Sequence, residues 1–238
     1  MDGSGTSPAP MILRAVIFDL DGTLIDSAPD IAAALNTALE GAGHVPLPLD
    51  RVKGFVGGGA RLLIERGLTA CGETPDGARI GAVYEQFLAA YAADPVRHTA
   101  LYPGALSTLQ TLASQGVQLG VCTNKPAALT TAILDKLALA PFFGSVSAAD
   151  GSLPLKPAPE MLRKTLQDLA VTAAEAVMVG DSAADAGAAQ AAGMRSVLLT
   201  HGYSHGPLAN LGADAVLSGF DGLLAWLQQL DQRTIARA

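Results

Sequence analysis

Four short stretches of this sequence place groups able to handle charge directly after apolar runs. Asp19, Asp21, Gly22 and Thr23 follow the run that begins at Arg14, and Thr123, Asn124 and Lys125 follow Val117 to Cys122. Lys156 and Pro157 lie beyond the run Phe142 to Ala148, and Gly180, Asp181, Ser182 and Asp185 follow Ala176 to Val179. Gathered at one edge, these residues would form a pocket of carboxylates, an ammonium group and several hydroxyl and amide donors. Such a mixture suits Mg²⁺ together with a phosphate. Mg²⁺ takes hard oxygen ligands in near-octahedral geometry and keeps water and phosphate oxygens among them, whereas carboxylates alone would repel a phosphate dianion. Each stretch also has a plainer reading. Asp21-Gly22 suits a turn whose backbone Asp19 could cap, Ser182 to Asp185 fits a capping box at a helix start, Lys156-Pro157 suits a surface turn, and Thr123 could satisfy backbone groups at a strand end. Their joint occurrence, each at the end of an apolar run, favours chemistry.

For these residues to meet, the chain must fold so that the ends of the runs converge. The runs are short, apolar and rich in β-branched residues, as buried strands are, and a weaker sixth run spans Ala213 to Leu217. Two further features complete the pattern: a strand at Ser196 to Leu199, and helical periodicities at Gly104 to Gln115, Ala127 to Leu137, Glu160 to Leu169, Asp185 to Ala192 and Gly222 to Gln232. Strand alternating with helix predicts an α/β fold, a three-layer doubly wound parallel sheet of Rossmann-like type. In such sheets ligands bind outside the carboxyl ends of the strands, where the four polar stretches fall. Between the first strand and the second the rhythm breaks. Pro29 to Glu40, Arg51 to Val56, Ala60 to Cys71 and Asp76 to Ala93 are helical patterns with no strand among them, too long for a plain crossover. The expected organisation is therefore a disordered tail at 1–10, a core of 11–26 plus 100–238, and an inserted all-helical cap domain at 27–99.

Composition narrows the partners. The 238 residues carry 15 Lys plus Arg against 22 Asp plus Glu, a net charge of −7, with no basic run, so nucleic acid and anionic membranes are not expected partners. From Ala15 to Asp50 there is no Lys or Arg, while Asp19, Asp21, Asp26, Asp30, Glu40 and Asp50 all fall there; something cationic should lie near that stretch. No 18 consecutive residues are apolar, which excludes a membrane-spanning helix, and the Gly/Ser/Pro-rich start has no apolar core of a secretory signal, so a cytoplasmic location is expected. Cys71 and Cys122 lack metal-site or disulfide-framework spacing and read as reduced thiols. His44, His98, His201 and His205 read as bystanders.

Asp19-Leu-Asp21-Gly22-Thr23-Leu24, Thr123-Asn124, Lys156-Pro157 and Gly180-Asp181-Ser182-Ala-Ala-Asp185 resemble, in order, the four motifs of the haloacid dehalogenase-like hydrolase superfamily. The helical insert is similar to that superfamily's helical cap. Within it, Asp19 to Ser27, Phe55 to Arg61, Thr123 to Pro126 and His201-Gly202-Tyr203 look most like the bacterial phosphoglycolate phosphatases. The resemblance implies a Mg²⁺-dependent phosphatase acting on a small anionic phosphate ester, 2-phosphoglycolate in the first place, with a sugar phosphate, pyrophosphate or a β-phosphoglucomutase-like transfer as alternatives and a receiver-like phosphoryl-Asp signalling domain as the non-enzymatic one. It implies that Asp19 attacks phosphorus and forms an aspartyl-phosphate. Asp21 would be the acid for the leaving alkoxide and then the base for water, since residues i and i+2 of an extended segment point the same way. Asp19, the backbone carbonyl of Asp21 and Asp181 would hold Mg²⁺, with Asp185 as ligand or support. Thr123, Asn124 and Lys156 would bind phosphate oxygens, with Gly22 and Thr23 lining the same site. Lys125 could touch phosphate or be structural. Arg61, after Gly57-Gly58-Gly59, is the candidate for a substrate carboxylate.

Overall fold

β1, Ala15–Phe18, lies in the middle of a six-stranded parallel sheet and is wholly buried. The computed structural model describes residues 13–204 and 206–235; the expected tail at 1–10 and His205 lie outside the described residues. The order of the sheet strands is β5 (Ser145–Ala149), β4 (Gln118–Pro126), β1, β6 (Ala176–Gly180), β7 (Arg195–Leu199), β8 (Ala215–Leu217), with every pairing parallel. This is the α/β architecture that the alternating pattern predicts. The chain runs outward from β1 through β4 to β5, then returns to the other side of β1 at β6. Loops after β1, β4 and β6 consequently leave the same edge side by side, the switch point where open sheets bind ligands.

Successive β1 side chains face opposite layers. Val16 and Phe18 join the layer that contains Leu109 and Leu112 of α5 (Ala105–Ser114), Leu129 and Ile133 of α6 (Ala127–Lys136) and Phe220 and Leu223 of α9 (Phe220–Ile235). Ala15 and Ile17 join Met161 and Leu162 of α7 (Glu160–Asp168) and Ala188 and Ala189 of α8 (Ala183–Ala192) on the other. A strand buried on both faces needs a continuous apolar run, which is what Ala-Val-Ile-Phe supplies.

Between β2 (Ile25–Asp26) and β3 (Ala100–Leu101) stand the four expected helices, α1 (Ala28–Gly41), α2 (Leu49–Lys53), α3 (Ala60–Ala70) and α4 (Gly77–Ala93). They bury Leu35, Leu39, Ile64, Leu68, Phe87 and Tyr91 against one another. β2 and β3 pair antiparallel, Ile25 with Leu101 and Asp26 with Ala100, so the chain enters and leaves the helical block side by side. Two residues per strand carry no readable periodicity, and the sequence pattern accordingly shows no strand there. α2 also stops earlier than Val56: Gly54 caps it, and Phe55 to Gly59 form a loop with φ of +110° at Gly57 and +89° at Gly59. Among the described residues no helix is long and apolar enough to cross a membrane.

Candidate active site

The register of the sheet places the acids. Phe18 is level with Val121 and Val179, so Asp19 emerges beside Cys122 and Gly180, and its N–H donates to the Val179 carbonyl at 2.9 Å. Lys156 reaches the same point from the loop after β5. Its ammonium lies 2.9 Å from Asp19 Oδ1 and 2.6 Å from Asp185 Oδ1, and donates to the Cys122 carbonyl at 2.6 Å. Burial alone would pull the Lys156 pKa down, but Asp185 and Asp19 outweigh it and hold the group above the ordinary lysine value. Burial pushes the Asp19 carboxyl up to about 6, against the pull of Lys156.

Asp181 is buried, accepting from the Tyr203 N–H at 2.7 Å and the Thr23 hydroxyl at 3.3 Å. Burial, with Asp185 and Asp19 adding, raises its carboxyl well above the usual range. One oxygen from each of Asp19, Asp181 and Asp185 lies within 4.8 Å of the others. Asp19 Oδ1 is buried, and although Lys156 is close, no donor meets it with hydrogen-bond geometry. An under-satisfied carboxylate oxygen beside two further buried carboxylates is a donor set that a hard divalent cation fits. Asp185 is the most saturated of the three. Its Oδ2 takes Asp181 N at 3.2 Å, Ser182 N at 3.0 Å and Ser182 Oγ at 2.6 Å, so the capping box forms and Asp185 braces both Lys156 and the Asp181 turn.

Asp21 points to different partners. Its Oδ1 accepts from Ser27 Oγ at 2.5 Å, and Lys125 Nζ stands 2.9 and 3.1 Å from its two oxygens. Its carboxylate is not part of the metal-type cluster, which leaves only its backbone carbonyl for that purpose. Lys125 thus pairs with Asp21, and Thr123, with Asp19, Asp21, Asn124 and Lys125, lines a pocket whose opposite wall is Ile31, Val56, Leu63, Phe87 and Tyr91 of the helical block.

Of the expected phosphate or substrate contacts, Gly22, Thr23 and Arg61 lie outside the pocket lining, and Asn124 lines it with its amide already engaged. Gly22 spends its N–H on the Ile25 carbonyl at 2.9 Å; its φ is +84° and a Cβ there would come within 2.6 Å of Asp181, so it makes the turn and the room. Thr23 is fully buried beneath Asp181, outside the pocket lining. The Asn124 side chain is used up by backbone: it donates to Lys156 O at 2.9 Å and Gly57 O at 3.0 Å and accepts from Lys156 N at 2.8 Å. Arg61 is exposed and its guanidinium lies over the Tyr84 ring, 5.1 Å from the centroid, outside the pocket lining. Stacking on a neighbouring aromatic satisfies a surface guanidinium without leaving water.

Three residues enter that the sequence reading gave no role. Tyr203 supports Asp181 through its N–H, while its hydroxyl accepts from Ser27 N at 2.7 Å and Ala28 N at 3.0 Å and donates to Asp26 Oδ1 at 2.9 Å. Ser27 holds Asp21, and Tyr91 holds Lys125 at 2.8 Å. Ser27 directly follows the first motif and is findable there; Tyr91 looks like any core residue of a helix. His201 stacks on Tyr102 with centroids 4.0 Å apart, and both cysteines are free.

Residues 13–193 match the family model described as haloacid dehalogenase-like hydrolase. The chain is 44% identical over 218 residues to a phosphoglycolate phosphatase of Rhodospirillum rubrum, covering 90% of each chain. It is 42% identical to one of Cereibacter sphaeroides, covering 92% of this chain and 99% of the relative. Among solved structures, one described as a predicted phosphoglycolate phosphatase of Haemophilus somnus superposes with a TM-score of 0.85 at 28% identity, covering 90% and 98%.

Proposed function

Because this chain belongs to the haloacid dehalogenase-like hydrolase family and is a phosphoric monoester hydrolase, we propose that it hydrolyses 2-phosphoglycolate to glycolate and phosphate, through a phosphorylated Asp19 and with Mg²⁺. Supporting the substrate are the relatives, which are named for it at 42% and 44% identity over almost the whole chain. The single observation that carries the mechanism is the Asp19 carboxylate. It is buried at the strand end, lines the pocket, and its Oδ1 is faced by the Lys156 ammonium at 2.9 Å without hydrogen-bond alignment.

One Asp19 oxygen attacks phosphorus and the P–O bond to the alcohol breaks, with Asp21 protonating the departing oxygen. Water then attacks the same phosphorus, Asp21 takes its proton, and the Asp19–phosphorus bond breaks to return the carboxylate and release phosphate. Asp19, Asp181 and the backbone carbonyl of Asp21 would hold Mg²⁺, which supplies charge neutralisation for phosphate entering among carboxylates. Lys156 offers its ammonium to a phosphate oxygen, and Thr123 offers its hydroxyl. Residues 27–99 act as the cap: the apolar wall from Ile31 to Tyr91 keeps water from the leaving group.

The test is phosphate release from 2-phosphoglycolate, sugar phosphates and pyrophosphate, in Mg²⁺ and in chelator, with acid-quenched protein assayed for acyl phosphate. Preference for 2-phosphoglycolate, loss in chelator, and a labile phosphoryl group absent from Asp19→Asn are expected. A sugar phosphate preferred over 2-phosphoglycolate overturns the substrate, and turnover by Asp19→Asn overturns the nucleophile.

A further inference from the structure

Asp21 sits on the sheet edge, yet what holds it reaches back into the helical block. The Lys125 ammonium that pairs with it is gripped from the other side by Tyr91 of α4, whose hydroxyl accepts from Nζ at 2.8 Å. The same Nζ lies 4.5 Å from the Tyr91 ring centroid, and that ring is wedged edge-on against Phe87 with centroids 5.7 Å apart. Lys125 and Tyr91 are both buried. A lysine ammonium on a flexible stem has no fixed direction of its own; here a rigid phenol supplies one. Burial keeps that phenol neutral, its pKa pushed up to about 12. The preceding residue makes a second link of the same kind, Asn124 Nδ2 to the Gly57 carbonyl at 3.0 Å.

We propose that Tyr91 is a positioning residue for the hydrolytic half of the reaction, holding Lys125 so that the ion-paired Asp21 carboxylate meets the attacking water. The inference rests on Asp21 as the base that takes the water proton while the Asp19–phosphorus bond breaks. In the first half Asp21 serves as the acid for the departing oxygen, a role that an aryl leaving group does not need. With such a leaving group, disturbing Tyr91 slows dephosphorylation and spares phosphorylation, a split that a merely structural residue would not produce.

p-Nitrophenyl phosphate reads the two halves separately, because its leaving group needs no proton and kcat/KM ends at its departure. Tyr91→Phe keeps the ring and its packing and removes only the hydroxyl. Expected is a kcat lower by about tenfold, a fraction of what a positioned base contributes, with kcat/KM within about twofold of the parent and a burst of p-nitrophenolate approaching one per protein. Lys125→Gln, which cuts the link from its other end, lowers kcat at least as far. Asp21→Asn run alongside separates the two ideas. If Asp21→Asn shows a burst and Tyr91→Phe loses kcat and kcat/KM together, or neither, the role of Tyr91 is wrong. If Asp21→Asn itself shows no burst, the assignment of the base is wrong and the Tyr91 proposal falls with it.

Discussion

Lys156→Met tests the centre of the site with the least steric change. In the parent protein one buried ammonium faces Asp185 at 2.6 Å and Asp19 at 2.9 Å. At the effective dielectric of about 20 that suits buried pairs, each attraction is about 6 kcal/mol before desolvation is charged against it. Desolvation takes back several kcal/mol per ion, and breaking a buried pair from one side costs about 3–5 kcal/mol, because the stranded carboxylates remain. For a chain of this size, 1 kcal/mol moves Tm by about 2–4 °C, so a fall of about 10 °C in chelator is expected. Circular dichroism melts in chelator measure it, and adding Mg²⁺ recovers part of the loss by supplying the missing positive charge. Turnover should fall by at least about 10³-fold, the scale for losing a preorganised donor at a developing charge. The double variant Lys156→Met with Asp185→Asn gives the sharper reading. Once the ammonium is gone, removing one stranded carboxylate should cost less than it does in the parent, with a coupling of about 2 kcal/mol. Single substitutions that simply add, or a Lys156→Met protein melting within about 2 °C of the parent, would refute the ion-pair account.

Three further outcomes follow from particular contacts. The Asp19 carboxyl stands at about 6 against an ordinary 3.8, so the folded state keeps a proton that the unfolded state has lost. Stability in chelator should fall as pH rises from about 4 to about 6, Asp19 contributing about 3 kcal/mol in urea titrations, and Asp19→Asn should reduce this fall without abolishing it, because the buried Asp181 carboxyl is raised as well. Gly202→Ala places a Cβ into the Asp181 carboxylate, and should raise the Mg²⁺ concentration needed for half-maximal activity by about 10–100-fold, with rates recovering at high Mg²⁺. Hydrogen bonds from Arg79 and His44 hold Glu73 down at about 2, clamping the ends of α1, α3 and α4. A depressed carboxylate stabilises above its unfolded pKa near 4.5, so the Tm gap between the parent and Glu73→Gln should be full at neutral pH, shrink below about 4 and close near 2.

The layer order and the acids that converge were legible because both follow from short-range rules. A strand buried on two faces is apolar along its length, and a polar residue immediately after it must sit at the sheet edge; Asp19 and Asp181 obey both, whereas β4 continues past its apolar run through Thr123 to Pro126. What was not legible is where each donor is spent. Thr23 serves Asp181, 158 residues away, and Asn124 serves Lys156 and Gly57, 32 and 67 residues away. No local pattern distinguishes an amide that binds substrate from one that laces two loops together. Arg61 shows the same limit from the other side: a substrate carboxylate and the Tyr84 ring both suit a guanidinium, and only packing of α3 against α4 decides between them.

The acid-rich stretch that begins the chain resolves into carboxylates satisfied in three different ways. Asp30 is buried but receives the His98 N–H at 3.0 Å, the Thr99 N–H at 2.8 Å and the Thr99 hydroxyl at 2.6 Å, which ties α1 to the segment leaving α4. Asp21 receives an ammonium from Lys125 and a hydroxyl from Ser27. Asp19 shares Lys156 with Asp185, while Asp181, from a later strand, has one good N–H and one long hydroxyl contact. Burial costs a carboxylate several kcal/mol unless donors or a cation answer it. Asp30 is answered by backbone and Asp21 by lysine. Among these acids only the Asp19 and Asp181 pair is left short, with Asp185 adding repulsion beside it. The deficit of positive charge therefore falls at one point, between the residue that would attack phosphorus and the one that would hold the metal. A divalent cation bound there meets the deficit and the substrate together, whereas at Asp21 or Asp30 it would have to displace a partner already in place.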